Sequence, residues 1–138
     1  MPAKDIFHQT VINALEKEGW TITDDPLSIR FGEIDLYIDL GAEKVIAAEK
    51  NGQKIAVEIK SFLNSSPITD FHTALGQFMN YRMALSERQP ERVLYLAVPL
   101  DTYDTFFQLP FGQAAISHHQ LKLIVYDVDK EVIKTWQE

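Results

Sequence analysis

The chain has no cysteine. A disulfide framework, a thiol nucleophile and a zinc–thiolate site are therefore excluded, and a reducing cytosol is the expected compartment. Basic residues are scarce, with 13 Lys and Arg against 20 Asp and Glu and a net charge of −7. That balance argues against strong nonspecific affinity for nucleic acid, because a dedicated DNA binder displays a basic face. Apolar runs are short. None approaches the roughly 20 residues of a membrane helix, and the amphipathic start does not read as a signal peptide, so no membrane association is expected. Repeats, low-complexity tracts, phosphate-cradling glycine loops and nucleophile elbows are also missing.

What is present fits a folded protein. The 138 residues suffice for one domain, 1–138, with a real core, and 46% hydrophobic content argues against disorder. Ile6, Val11 and Leu15 recur at helical spacing over Asp5 to Glu18, and Gly19 supplies a stop. Thr21-Ile22-Thr23 opens a strand before an Asp24-Asp25-Pro26 turn. From Glu33 to Leu40 apolar and polar residues alternate as in a strand. Lys44 to Glu49 forms another, and Asn51-Gly52 is the strongest hairpin signal in the chain. After the Asn64 to Pro67 loop, an amphipathic helix spans Ile68 to Leu85, with Phe71, Ala74, Leu75, Phe78, Arg82 and Leu85 as its inward stripe. Val93 to Val98 reads as a strand buried on both faces. Short helices over Asp101–Phe107 and Phe111–His119, then strands Leu121–Val128 and Val132–Trp136, complete the pattern. The fold class that follows is α/β, a mixed sheet flanked by helices.

The chemistry concentrates in Ile55-Ala56-Val57-Glu58-Ile59-Lys60. Residues i and i+2 of a strand share a face, so Glu58 and Lys60 project together while Ile55, Val57 and Ile59 point oppositely. One hairpin upstream, Asp35 offers a second carboxylate. Hard cations such as Mg²⁺ or Mn²⁺ take oxygen ligands, and Asp35, Glu58 and the carbonyl of Ile59 are the candidate set. Lys60 then neutralises phosphate or orients a water. Glu-x-Lys alone is too common to carry this reading; the spaced Asp35 and the helix that follows strengthen it. In that helix Gln77 and Tyr81 are four apart and lie on one face, where they can orient a ligand or touch phosphate.

These residues carry a family resemblance. Gly32-Glu33-Ile34-Asp35-Leu36, Val57-Glu58-Ile59-Lys60 and Gln77-x-x-x-Tyr81 resemble the restriction-endonuclease-like PD-(D/E)XK superfamily, the last element being similar to its exonuclease branch. Over nearly the full length the chain resembles the XisH family, the cyanobacterial excision controlling factors of the fdxN element. Pro2-Ala3-Lys4-Asp5, Ala14-Leu15-x-x-x-Gly19-Trp20, Ala56 to Phe62, Gly76-Gln77-Phe78-x-x-Tyr81 and Val125-Tyr126 carry that likeness. The resemblance implies a restriction-endonuclease-like core and a Mg²⁺- or Mn²⁺-dependent endonuclease centre. It also implies DNA excision in heterocyst differentiation, with an XisI-like companion protein and a site-specific recombinase as partners. A noncatalytic recombination accessory on the same scaffold is the alternative, and a toxin–antitoxin-like pair shielded by the companion is a third. A homo-oligomer stays open.

One departure stands out. Many members of the superfamily carry a metal-binding glutamate in the first helix, and the equivalent place here is near His8, a poorer Mg²⁺ ligand that can still bind a transition metal or touch substrate phosphate. Glu16 is an alternative acid two turns away. Asp39 shares the face of Asp35 and ranks behind it. His118-His119 read as a polar helix end and His72 as surface. Phe106, Phe107 and Phe111 read as either core or a partner patch.

Overall fold

The computed structural model describes residues 6–35 and 45–138; side chains are described in this range except those of residues 34 and 35. Helix α1 (His8–Lys17) buries Val11, Ile12, Ala14 and Leu15. It stops where Gly19 adopts φ +94°, a left-handed conformation that glycine enters without a Cβ penalty. Strand β1 (Thr21–Asp24) follows, then the short pair β2 (Arg30–Phe31) and β3 (Ile34–Asp35). Strands β4 (Val45–Lys50) and β5 (Gln53–Ile59) form the expected hairpin. Asn51 and Gly52 both take positive φ, 51° and 82°, as a turn matched to strand twist requires.

Helix α2 (Pro67–Arg88) starts with the Ser66 hydroxyl accepting from the Thr69 N–H and with Pro67 in its first turn. Strand β6 (Arg92–Pro99) runs into α3 (Leu100–Asp104) and a 3-10 turn, Phe106–Gln108. Helix α4 (Pro110–His119), β7 (Leu123–Asp127) and β8 (Val132–Gln137) close the chain. The main sheet has the order β1-β4-β5-β6-β7-β8. Its centre, β5-β6-β7, is parallel, and its flanks are antiparallel, so the sheet is mixed as expected.

Strand alternation sorts the core into two layers. Ile55, Val57 and Ile59 pack with Val11, Ile12, Leu15 and Tyr126 on the α1 side. Ala56 packs with Phe71, Ala74, Phe78 and Tyr81 on the α2 side.

Several expectations need correction. The strand expected from Glu33 to Leu40 is described only over Ile34–Asp35, and residues 36–44 lie outside the described range. Over its described residues, Ile34–Asp35, it pairs across Gly32-Glu33 with β2, Arg30 opposite Asp35. The hydrogen-bonded neighbours of β5 are β4 and β6, so the meander leading to Glu58 is β1-β4-β5. Alternation reports a strand but carries nothing about its partner. The helix expected over Asp101–Phe107 breaks at Thr105 into α3 and the 3-10 turn. In α2 the buried stripe includes Tyr81 and Ala84, whereas Arg82 is only half-buried. Its guanidinium donates to the carbonyls of His119 and Gln120 at the end of α4.

Candidate functional site

Glu58 stands on the α2 side of β5, two residues beyond Ala56, and is 1% exposed. Neither of its carboxylate oxygens has a hydrogen-bond partner among the described residues. Burial pushes its pKa well above the usual carboxylate range. A buried carboxyl group whose oxygens accept no hydrogen bond is destabilising by about 1–3 kcal/mol, and by more when charged. Such a group calls for a functional explanation.

Lys60 follows the end of β5 and is equally enclosed, at 4% exposure. Its backbone is held at both ends. Its N–H donates to the Ala97 carbonyl of β6 at 3.0 Å, and its carbonyl accepts from the Tyr126 hydroxyl of β7 at 2.8 Å. The side chain crosses to α2, where Nζ donates to Gln77 Oε1 at 2.5 Å, and lies 3.9 Å from Glu58 Oε2. A sequence separation of 17 residues is thus closed by one charge-assisted hydrogen bond. One turn along α2, Tyr81 is 3% exposed. Burial first, and the negative charge of Glu58 second, hold its phenol far above the ordinary tyrosine range, so it is a neutral donor at physiological pH.

The remaining sequence candidates are placed as follows. The Ile59 side chain sits in the α1-side layer, which leaves only its backbone carbonyl for a ligand role. The backbone of Asp35 ends β3, and its side chain lies outside the described residues. His8 is buried at the start of α1, on the helix that covers the opposite sheet face. Its Nε2 lies 2.9 and 3.0 Å from the two carboxylate oxygens of Asp25. Asp39 falls outside the described range; Glu16, His72 and His118 are exposed. Phe106 and Phe107 belong to the core, while Phe111 is 52% exposed.

Two residues that hold the candidates in place, Asp25 against His8 and Tyr126 against Lys60, are not legible as such in the sequence. Asp25 reads there as a turn former, and a carboxylate before a proline gives no sign of its partner. Tyr126 reads as strand filler, and its one signal is general: a fully buried phenol requires an acceptor.

The donor set fits a hard cation only in part. Among the described residues no three His, Asp or Glu side chains come together. The orphaned Glu58 oxygens nonetheless match what a divalent ion takes, and an ion there would compensate their buried charge. The Lys60 ammonium, at 3.9 Å, supplies a countercharge from outside hydrogen-bond range.

The model of the family described as XisH protein matches residues 1–134. The chain belongs to the XisH family. Two solved structures agree. An XisH family protein from Nostoc punctiforme is 60% identical, with a TM-score of 0.90, covering 97% of this chain and 100% of its own. An fdxN element excision controlling factor protein from Anabaena variabilis is 58% identical, with a TM-score of 0.89, covering 96% and 98%. No curated protein matches. At such identity the XisH-family chain shares the mixed six-stranded α/β fold of these relatives, and Glu58 and Lys60 sit on its central strand and just past it.

Proposed function

We propose that this XisH-family protein is a DNA excision factor whose centre at Glu58 and Lys60 hydrolyses DNA phosphodiesters with Mg²⁺ or Mn²⁺. The observation that carries this reading is the Glu58 carboxylate, fully buried and without a hydrogen-bond partner among the described residues, beside a buried ammonium. Asp35, Glu58 and the Ile59 carbonyl would hold the ion. When bound, it supplies a Lewis acid for phosphoryl oxygen and lowers the pKa of its water. The chain's own residues do the rest. Lys60 sets a positive charge at a fixed point, where a scissile phosphate needs it. Gln77 fixes the direction of that ammonium through its 2.5 Å hydrogen bond. Tyr81, a neutral phenol, offers a proton donor to a phosphate oxygen. Likeness to the Anabaena excision controlling factor supports an excision context for the reaction.

The partners in this reading are DNA, an XisI-like companion and a site-specific recombinase, in the cytoplasm of a cell undergoing heterocyst differentiation. A companion would supply the basic surface that a chain of net charge −7 lacks. That same charge favours the second reading, a noncatalytic recombination accessory on a nuclease-like scaffold. Nicking of supercoiled DNA by wild type and Lys60→Ala, with and without the companion, separates the two. Cleavage by wild type alone supports the enzyme. Equal cleavage by both proteins, or Mn²⁺ calorimetry with no binding heat, overturns it.

A further inference from the structure

At the opposite end of β5 from Glu58, roughly 16 Å away along the strand, the chain forms a cleft of about 510 Å³ beside the Asn51-Gly52 turn. Trp20, Tyr95 and Trp136 line it. The two indoles lie 5.7 Å apart, and Tyr95 meets Trp136 edge-on at 5.1 Å. Two carboxylates hold the polar edges of these rings in place. Glu18 accepts from the Trp136 indole N–H at 3.1 Å, and Glu138 accepts from the Tyr95 hydroxyl. In each case one carboxylate oxygen takes that bond, and the second has no protein partner among the described residues.

The cleft already contains a cation. The Lys50 ammonium lies over the Trp20 ring, 6.0 Å from its centroid, with its stem beside Gly19. Indole is the strongest aromatic partner for a cation, and about 6 Å is the outer limit of useful attraction. The remaining lining charges are Glu91 and Lys54, and Lys54 is paired with Glu49 at 3.8 Å. Three carboxylates therefore face two ammoniums, which opposes a phosphate-bearing ligand and favours a cation.

We propose that this aromatic and carboxylate cleft binds an organic cation of the guanidinium or ammonium class, which displaces Lys50 from Trp20. A guanidinium fits best: it stacks its plane on an indole and donates to carboxylates at its edge. Two sources share this chemistry, a small free cation and an arginine side chain presented by a protein. The site does not depend on the reading of Glu58, because no residue is common to both.

Trp20 and Trp136 are the only tryptophans in the chain, so fluorescence excited selectively at tryptophan reports on this cleft alone. The full chain would be titrated with methylguanidinium, with tetramethylammonium and with a short arginine-bearing peptide, against NaCl at matched ionic strength. Saturable quenching by the cations and none by NaCl is expected. Glu138→Gln, an exposed change that preserves folding, should weaken binding by about tenfold. Lys50→Ala should tighten it several-fold by removing the internal competitor. Tighter binding of the peptide than of methylguanidinium assigns the site to a protein partner, and the reverse to a small cation. A linear response equal to that of NaCl overturns the proposal. So does saturable quenching by deoxyadenosine monophosphate without any by methylguanidinium, which would make the cleft a base-stacking platform. Unchanged cation affinity in both Glu138→Gln and Lys50→Ala overturns it as well.

Discussion

Gln77 Oε1 accepts a 2.5 Å hydrogen bond from the Lys60 ammonium, and this bond couples the end of the central strand to the middle of the long helix. Lys60 is buried, so the amide of Gln77 offsets part of the desolvation of its charge. Gln77→Leu removes the acceptor and leaves the ammonium under-satisfied. A loss of about 1.5–3 kcal/mol in urea unfolding is expected. Nicking activity should fall further than this stability loss explains, because the Lys60 ammonium loses the hydrogen bond that aims it. Gln77→Glu should restore stability and not the rate.

Glu58 makes the metal-free protein pH-sensitive. Its folded pKa is raised by burial, so the folded state holds its proton at a pH where the unfolded chain has released it. Stability from this group is fully present below the ordinary carboxylate pKa and is lost as pH rises toward the folded value. The slope is at most about 1.4 kcal/mol per pH unit. Chelator-treated wild type should lose stability across that window, and Glu58→Gln should lose less. Parallel curves for the two proteins as pH rises above the ordinary carboxylate pKa would contradict the assignment.

A divalent ion should reverse that loss. Mn²⁺ at about 100 times its Kd is expected to stabilise wild type by about 2.7 kcal/mol, visible as a rise in Tm. Glu58→Ala should show no rise. A rise of the same size in both proteins would place the ion elsewhere.

His8 is engaged by Asp25 through Nε2 and leads a helix on the other face of the sheet. Its removal should act on folding and not on metal binding. His8→Ala is expected to destabilise by about 1–3 kcal/mol, the range for a buried hydrogen bond left half-made. Its Mn²⁺ affinity should stay within about twofold of wild type by calorimetry. A tenfold weakening would return His8 to the metal centre.

Gly112 in α4 faces the backbone of the 3-10 turn. A Cβ at this position would lie 2.4 Å from the Phe106 carbonyl oxygen and 2.7 Å from Phe107 Cα, both backbone atoms that cannot rotate away. Gly112→Ala should therefore destabilise by about 3 kcal/mol, at the upper end for overpacking, despite its higher helix propensity. Thermal unfolding measures this directly.

Sequence pattern alone determined the local parts. Helical spacing marked α1 and α2, Asn51-Gly52 marked the hairpin of β4 and β5, and alternation put Glu58 and Lys60 on one face. These follow from backbone geometry, which repeats about every 2.0 or 3.6 residues and is written in the order of side chains. Tertiary structure decided the partners. It paired Ile34–Asp35 with β2, put Asp25 against His8, held Lys60 between Ala97, Tyr126 and Gln77, and gathered two tryptophans separated by 116 positions, 136 minus 20, into one cleft. Periodicity carries no information about which distant group meets a given side chain. That choice is made by the packing of the two core layers, where a buried phenol, ammonium or imidazole must find a partner or destabilise the fold.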